Sequence, residues 1–260
     1  MIRLSQCQIP GGSGIFNVAS LRKVSQYVSS MHFEERVTEF ELELRSDPVS
    51  LAMTRDGQGC LVLDASGHIQ AHGTARSLGD LSSLNLVAPP VDIAASPIGV
   101  GYWVIDAQGS VFSFGNAPFL DGIPQVASKA ATAVKIEPVA EGDGYWIVDS
   151  RGGVHSFGSA PFHGALVDNH SVDGLRVVDF AADLKGRGYL FLDSVGQVYP
   201  VGDVPYFGSP ASLGRVDAVG LISRPGGYLV VDSRGAITAF GDIANLGSPV
   251  GSGLEVLAVT

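Results

Sequence analysis

Three charged residues stand at one position of an internal repeat and are the first candidates for chemistry in this sequence. Asp92, Lys135 and Asp179 each occupy the second position of a short apolar run. Ser50 and Gly220 hold the same position in two further runs. If these runs are neighbouring strands, the polar groups converge at one height, where they could hold a cation or a small anionic ligand. The alternative is a water-filled channel in which Lys135 pairs with an aspartate.

A second set of carboxylates recurs with a glycine three residues later, in an Asp-x-x-Gly pattern. This spacing is typical of a tight hairpin turn, in which the carboxylate accepts hydrogen bonds from backbone N–H groups. We therefore interpret these aspartates as structural, and one per repeat is too scattered to build a single catalytic site. The set comprises Asp64, Asp106, Asp149, Asp193 and Asp232.

The remaining residue types favour no catalytic centre. Cys7 and Cys60 are the only cysteines, too few for a disulfide framework or a four-cysteine zinc site, and we interpret both as buried free thiols. The six histidines form no H-E-x-x-H arrangement, and neither a G-x-S-x-G elbow nor a phosphate-binding loop occurs. The sequence thus predicts no catalytic residue, no metal ligand set and no cofactor.

Composition indicates a folded chain and excludes some partners. Of 260 residues, 45% are hydrophobic and 16% charged, which is too apolar for a disordered protein. The formal charge of −10 argues against nucleic acid, whose phosphates require a basic surface. No apolar run approaches the roughly 20 residues of a membrane span, and the N-terminal segment lacks the apolar region of an export signal.

One unit of fifteen residues repeats along the whole chain. GYWVIDAQGSVFSFG and GYWIVDSRGGVHSFG are two of five copies that align without gaps, and a degenerate sixth copy lacks the turn aspartate and glycine. The copies follow one another at roughly 40 to 45 residues, the period of β-propeller blades. They begin at Gly14, Gly59, Gly101, Gly144, Gly188 and Gly227.

β-Branched and aromatic residues crowd short runs between glycines, and no helical periodicity is sustained. Each unit divides into four strands, the last exemplified by residues 118–120 and 205–207. The sequence therefore predicts an all-β protein, a single six-bladed β-propeller of residues 1–260 with four antiparallel strands per blade. Blades that are apolar on both faces must stack into a closed ring.

The last residues repeat the pattern of the first strand of each blade. We expect residues 254–260 to complete the blade whose other strands begin at Ile15. This would close the ring and could place Glu255 at the same repeat position as Asp92, Lys135 and Asp179. The rival for that place is the segment 3–7, but it carries Gln6 where other copies have an apolar residue.

The pattern GYW-[VI]-x-D-x-x-G, followed by FG-x-A-P-F, resembles repeats of actinobacterial proteins that read GYWLVASDGGVFAFGDAxFYGS. In that group the repeats form propeller-like arrays, commonly attached to secreted or cell-wall-acting proteins in which another domain performs the chemistry. The resemblance implies a propeller, and it points to the cell envelope or the exterior as the compartment. It implies fold far more than activity.

Aromatic residues offer candidates for contacts with a partner. A row of tyrosines in the second strands could form a glycan-binding surface, but packing between blades is the interpretation we favour. Phe119, Phe162, His163 and Tyr206 lie nearer the outer strands and are better candidates for exposed contacts.

The sequence therefore favours a non-enzymatic binding or scaffolding propeller that presents a surface to a protein or a cell-envelope polysaccharide. The alternative is a propeller hydrolase or lyase with a cation in the central channel, held by Asp92 and Asp179. A third hypothesis is docking through the acidic segment 34–43 in a larger assembly.

Overall fold

The structure, a computed structural model, describes residues 2–8, 15–21, 45–123, 131–169, 174–214, 217–234, 236–243 and 256–259. For residues 2–8, 15–21, 168–169 and 256–259 the backbone alone is described. This part of the chain contains eighteen strands, one short helix, α1 (Leu166–Asn169), and one 3₁₀ turn, Pro210–Leu213. The prediction of an all-β protein is confirmed. No helix among these residues is long and apolar enough to cross a membrane.

The strands form six antiparallel three-stranded sheets. Sheet 1 combines both ends of the chain and contains β1 (Ile2–Gln8), β2 (Ile15–Leu21) and β18 (Val256–Val259). Sheet 2 contains β3 (Pro48–Met53), β4 (Gly59–Asp64) and β5 (Ile69–Gly73). Sheet 3 contains β6 (Pro90–Ala95), β7 (Gly101–Asp106) and β8 (Val111–Gly115).

The remaining three sheets repeat the consecutive order of sheets 2 and 3. Sheet 4 contains β9 (Ala133–Pro138), β10 (Gly144–Asp149) and β11 (Val154–Gly158). Sheet 5 contains β12 (Val177–Ala182), β13 (Gly188–Asp193) and β14 (Val198–Gly202). Sheet 6 contains β15 (Ala218–Arg224), β16 (Gly227–Asp232) and β17 (Ile237–Gly241).

One strand of each sheet, called here its inner strand, contacts the inner strands of two neighbouring sheets. The contacts run β3 to β6, β6 to β9, β9 to β12, β12 to β15, β15 to β18, and β18 back to β3. The six sheets therefore follow one another in a closed cycle. The core lies between neighbouring sheets, as where Trp103 and Ile105 of sheet 3 pack with Tyr145 and Ile147 of sheet 4.

The turn between the second and third strands forms as its sequence dictates. In sheet 3, Oδ1 of Asp106 accepts hydrogen bonds from the N–H groups of Gln108 and Ser110, both at 2.9 Å. Gly109 has a φ of 80°, a conformation that glycine adopts without steric cost. The same two N–H bonds form at Asp64, Asp149, Asp193 and Asp232. The structural interpretation of these aspartates is confirmed.

Each sheet has three described strands, so the prediction of four strands per blade is not confirmed. Residues 118–120 and 205–207 form no strand, and each segment contains a proline, which has no N–H for a ladder. The backbone groups of these segments bond to side chains instead. The indole of Trp103 donates to the carbonyl of Pro118 at 2.7 Å, and the N–H of Leu120 donates to the hydroxyl of Tyr145.

Both ends of the chain meet in sheet 1. β18 pairs with β2, with Val259 opposite Val18, and β1 pairs with the other edge of β2. The expected partnership between the C-terminal segment and the strand beginning at Ile15 is thus confirmed for residues 256–259. The segment 3–7 lies in β1, beside β2 but away from the ring of inner strands.

Candidate functional site

One residue of each of five inner strands occupies the same position of the repeat. We call this set the inner row; it comprises Ser50, Asp92, Lys135, Asp179 and Gly220. Each follows a register shift in which one residue of the inner strand has no partner on the second strand. Such bulges turn the following side chain to a new direction. The structure therefore brings the three predicted binding residues to one level of the ring, as the repeat alignment predicts.

β18 also contains a register shift, between Val256 and Ala258. Glu255 lies outside the described residues, so its place in the inner row stays a prediction.

Asp92 connects sheet 3 to both of its neighbours. Its Oδ1 accepts a hydrogen bond from the hydroxyl of Ser50 at 2.6 Å, and its Oδ2 accepts one from the N–H of Ile136 at 2.9 Å. The side chain is buried. Burial raises the pKa of Asp92, against the opposing effects of the Lys135 ammonium and of both hydrogen bonds.

Asp179 likewise connects sheet 5 to both of its neighbours, sheets 4 and 6. Its Oδ1 lies 3.2 Å from Nζ of Lys135 and accepts the N–H of Phe180 at 2.9 Å. Its Oδ2 accepts the N–H of Leu221 at 2.7 Å. The interpretation in which Lys135 pairs with an aspartate is confirmed. Burial disfavours the ammonium, but Asp179 and Asp92 together raise the pKa of Lys135 above its usual value.

Glu137 is a fourth charged member of this cluster that the repeat alignment did not single out. It lies two residues after Lys135, on the same face of β9, and stands where other copies carry Ala52, Ala94 or Ala181. Burial raises its pKa to about 7, with Asp179 and Asp92 adding to the rise and Lys135 opposing it. Glu137 is charged at a repeat position that is apolar in the other copies, and this difference was the signal available in the sequence.

The cluster holds neighbouring sheets together through the two aspartates, whose carboxylate oxygens all have partners. No group of three or more potential metal ligands occurs among the described residues. Binding of a ligand by Asp92, Lys135 and Asp179 stays a prediction, and so does the cation of the hydrolase alternative.

The tyrosine row lies in the interfaces between sheets. Each hydroxyl accepts a backbone N–H from the segment that follows the third strand of the preceding sheet, and donates to the next carbonyl. For Tyr145 these partners are the N–H of Leu120 at 3.1 Å and the carbonyl of Asp121 at 2.6 Å. The same pair of bonds is made by Tyr102, Tyr189 and Tyr228. All four are buried, so the packing interpretation is confirmed and the glycan-surface interpretation is wrong.

Three aromatic side chains in those same segments point to solvent. Phe119 is 61% exposed, Phe162 58% and Tyr206 50%, and they hold one equivalent position in sheets 3, 4 and 5, which neighbour one another in the cycle. We call them the rim row. The prediction that they are exposed is confirmed. His163 is only partly exposed, because its ring packs edge-on against Tyr189 at 5.5 Å.

Two further expectations concern a thiol and the acidic segment. Cys60 is buried and free, and burial raises its pKa to about 11, which keeps it a protonated, unreactive thiol. The side chain of Cys7 and the segment 34–43 lie outside the described residues.

Comparison with known proteins gives a fold but no family. No protein-family model and no curated protein matches the chain. A chain in the crystal structure of a nidogen/laminin complex is similar over 100% of this chain and 98% of that one, with a TM-score of 0.59 and 11% identity. The Cps50 (Swd1) β-propeller domain of Myceliophteria thermophila has a TM-score of 0.47 and 10% identity over 77% of this chain and 70% of that one. Together with the closed cycle of sheets, the first likeness indicates an all-β propeller fold.

Proposed function

We propose that the chain is a non-enzymatic binding or scaffolding propeller whose partner is a protein that docks on the rim row. We further propose that residues 1–260 form one domain and that the six sheets are its six blades, closed by β18. The closed cycle of inner strands supports this arrangement. A propeller built in this way offers a rigid frame on which exposed side chains keep fixed positions.

The rim row is the observation that carries the proposal. Three large aromatic side chains at one repeat position, in three successive sheets, are each at least half exposed. Aromatic residues are enriched in protein interfaces and often dominate their binding energy. Their backbone is held by the buried tyrosine hydroxyls, so little ordering is required when a partner binds.

The comparison with known structures is compatible with a protein partner. The similar chain of known structure was crystallised in a complex of nidogen with laminin. At 11% identity this likeness carries the fold only, so the rim row and not the likeness identifies the surface.

The test compares capture of partners by the wild-type protein and by a variant with Phe119→Ser, Phe162→Ser and Tyr206→Ser. A matched control carries Leu84→Ser, Val87→Ser and Leu213→Ser, which alter three exposed apolar residues elsewhere. We expect extracts of cells that produce the protein to yield a stoichiometric protein partner with the wild type and the control, but not with the rim variant. Retention by envelope polysaccharide instead, or equal capture by all three proteins, would contradict the proposal.

A further inference from the structure

A cavity of about 460 Å³ opens between sheets 2 and 3. It lies beside the turns that join the first and second strands of these sheets, residues 54–58 and 96–100. Its volume is within the usual range of small-ligand sites. It includes neither the inner row nor the rim row, so neither of these sites accounts for it.

At this cavity, sheet 2 departs from the residue pattern of sheets 3 and 4. In sheets 3 and 4 the indole N–H of a tryptophan donates to the carbonyl of a proline in the following segment, as Trp103 does to Pro118 and Trp146 to Pro161. Sheet 2 carries Leu61 in place of the tryptophan and Arg76 in place of the proline. Sheet 5 also has a leucine, Leu190, but keeps its proline, Pro205.

The side chain of Leu61 is smaller than that of tryptophan and has no N–H to donate, so the hydrogen bond seen in sheets 3 and 4 cannot form in sheet 2. Both Leu61 and Arg76 line the cavity. The two departures from the pattern of sheets 3 and 4 therefore meet at the same open space. In the repeat of sheet 6 the two equivalent positions hold Leu229 and Ala244.

Two guanidinium groups provide the charge of this cavity. Arg55 and Arg76 are both exposed, and neither side chain makes an ion pair or hydrogen bond with another described residue. The one carboxylate of the lining, Asp56, already accepts hydrogen bonds from the hydroxyls of Thr54 and Thr74 and from the N–H of Gln58. The lining thus carries a net positive charge in a chain whose formal charge is −10.

The wall of the cavity is apolar and firmly held. Leu61 and Tyr102 are buried, and Val100 is half-exposed at its edge. The hydroxyl of Tyr102 accepts the N–H of Leu78, another lining residue, at 2.9 Å and donates to the carbonyl of Gly79 at 2.6 Å. A preformed apolar wall beside two guanidinium groups that have no partner among the described residues fits a ligand with one anionic end and one apolar end.

We propose that this cavity binds a carboxylate attached to an apolar chain, with the carboxylate at Arg55 and Arg76 and the chain against Leu61 and Val100. Arginine suits this task because its planar group donates two parallel hydrogen bonds to a carboxylate. Such a group could belong to an acidic residue of a peptide or to a free carboxylic acid. The inference stands independently of the rim row.

Calorimetric titration of the full chain tests the proposal with two probes, hexanoate and the blocked peptide acetyl-Leu-Glu-Leu-amide. Hexanamide and acetyl-Leu-Gln-Leu-amide are the uncharged controls. We expect at least one carboxylate probe to bind at least about tenfold more tightly than its amide, and the better probe identifies the source of the carboxylate. Failure of both carboxylates to bind, or equal binding of each carboxylate and its amide, would overturn the proposal.

Substitutions locate the binding. Arg55→Gln with Arg76→Gln should weaken the better probe by at least about tenfold, whereas Arg151→Gln with Arg176→Gln, at two other exposed arginines, should leave it unchanged. Leu61→Trp with Arg76→Pro installs the residue pair of sheets 3 and 4 and should abolish binding. Unchanged affinity in both cavity variants would place the ligand elsewhere and overturn the assignment. Capture of a protein partner by the rim row is a separate result that none of these outcomes alters.

Discussion

Nζ of Lys135 lies 3.2 Å from Oδ1 of Asp179, and this ion pair joins the inner strands of sheets 4 and 5. The other oxygen of Asp179 accepts the N–H of Leu221 in sheet 6 at 2.7 Å. One carboxylate thus connects three neighbouring sheets. On the opposite side of Lys135, Asp92 connects sheets 2, 3 and 4 in the same way.

Replacing Lys135 with methionine should destabilise the fold. The substitution keeps most of the side-chain volume but leaves Asp179 buried without its cation, a loss that typically costs about 3 kcal/mol. The free energy of unfolding in urea measures the effect. Lys185→Met, at an exposed turn position, is the control, and a loss at Lys135 no larger than in the control would contradict a structural ion pair.

Glu137 should make stability depend on pH. Its pKa is about 7 in the folded protein against an ordinary value of 4.5, so between these pH values the folded state binds the proton more tightly than the unfolded state. Stability contributed by the protonated Glu137 is therefore present below pH 4.5 and is lost as the pH rises through 7.

The measurement compares unfolding free energies of the wild type and Glu137→Gln across this range. The glutamine variant has no carboxyl group to titrate, so we expect the wild type to lose about 3 kcal/mol relative to it between acid and neutral pH. Parallel stability curves for the two proteins would show that Glu137 does not titrate in this way.

Much of the fold follows from the repeat. Glycine positions, Asp-x-x-Gly turns and buried second strands all occur where the pattern predicts them, because each is dictated by local backbone chemistry or by burial on two faces. The pattern did not predict that residues 118–120 and 205–207 form no strand. Leu120 and its partner Tyr145 lie in different repeats, and the hydrogen bonds from buried tryptophan and tyrosine side chains that hold the outer segments depend on tertiary packing.

Tyr145→Phe tests this capture. The loss of one hydroxyl leaves the N–H of Leu120 and the carbonyl of Asp121 without their partner, and should cost about 1.5 kcal/mol. Hydrogen exchange gives a local measurement, since the amide of Leu120 should exchange faster. The amide of His163, bonded to Tyr189, is an internal control, and equal changes at both amides would indicate a general loss of stability instead.

Asp106→Ala tests the structural role of the repeated turn aspartates. It removes both hydrogen bonds to the N–H groups of Gln108 and Ser110, and we expect a loss of about 2 kcal/mol in thermal or urea unfolding. Asp106→Asn keeps a neutral acceptor and should lose about half as much. An alanine variant as stable as the wild type would require another role for this residue.

The candidate sites were predictable to different degrees. The inner row follows from aligning the repeats, since one register shift places each member alike. The hydrogen bonds that Asp92 and Asp179 accept from the N–H groups of Ile136 and Leu221 do not, because these donors are backbone groups of neighbouring sheets. The cavity between sheets 2 and 3 was not predicted, although Leu61 and Arg76 depart visibly from the pattern, because only the structure shows that these two positions meet.

The most direct test of the binding proposal is photo-crosslinking from the rim row in cells that produce the protein. A benzophenone amino acid in place of Phe162 should form a crosslink of one defined mass with a single protein, whereas the same substitution at Leu213, exposed elsewhere, should form none. Crosslinks from both positions alike, or from neither, would contradict docking on the rim row.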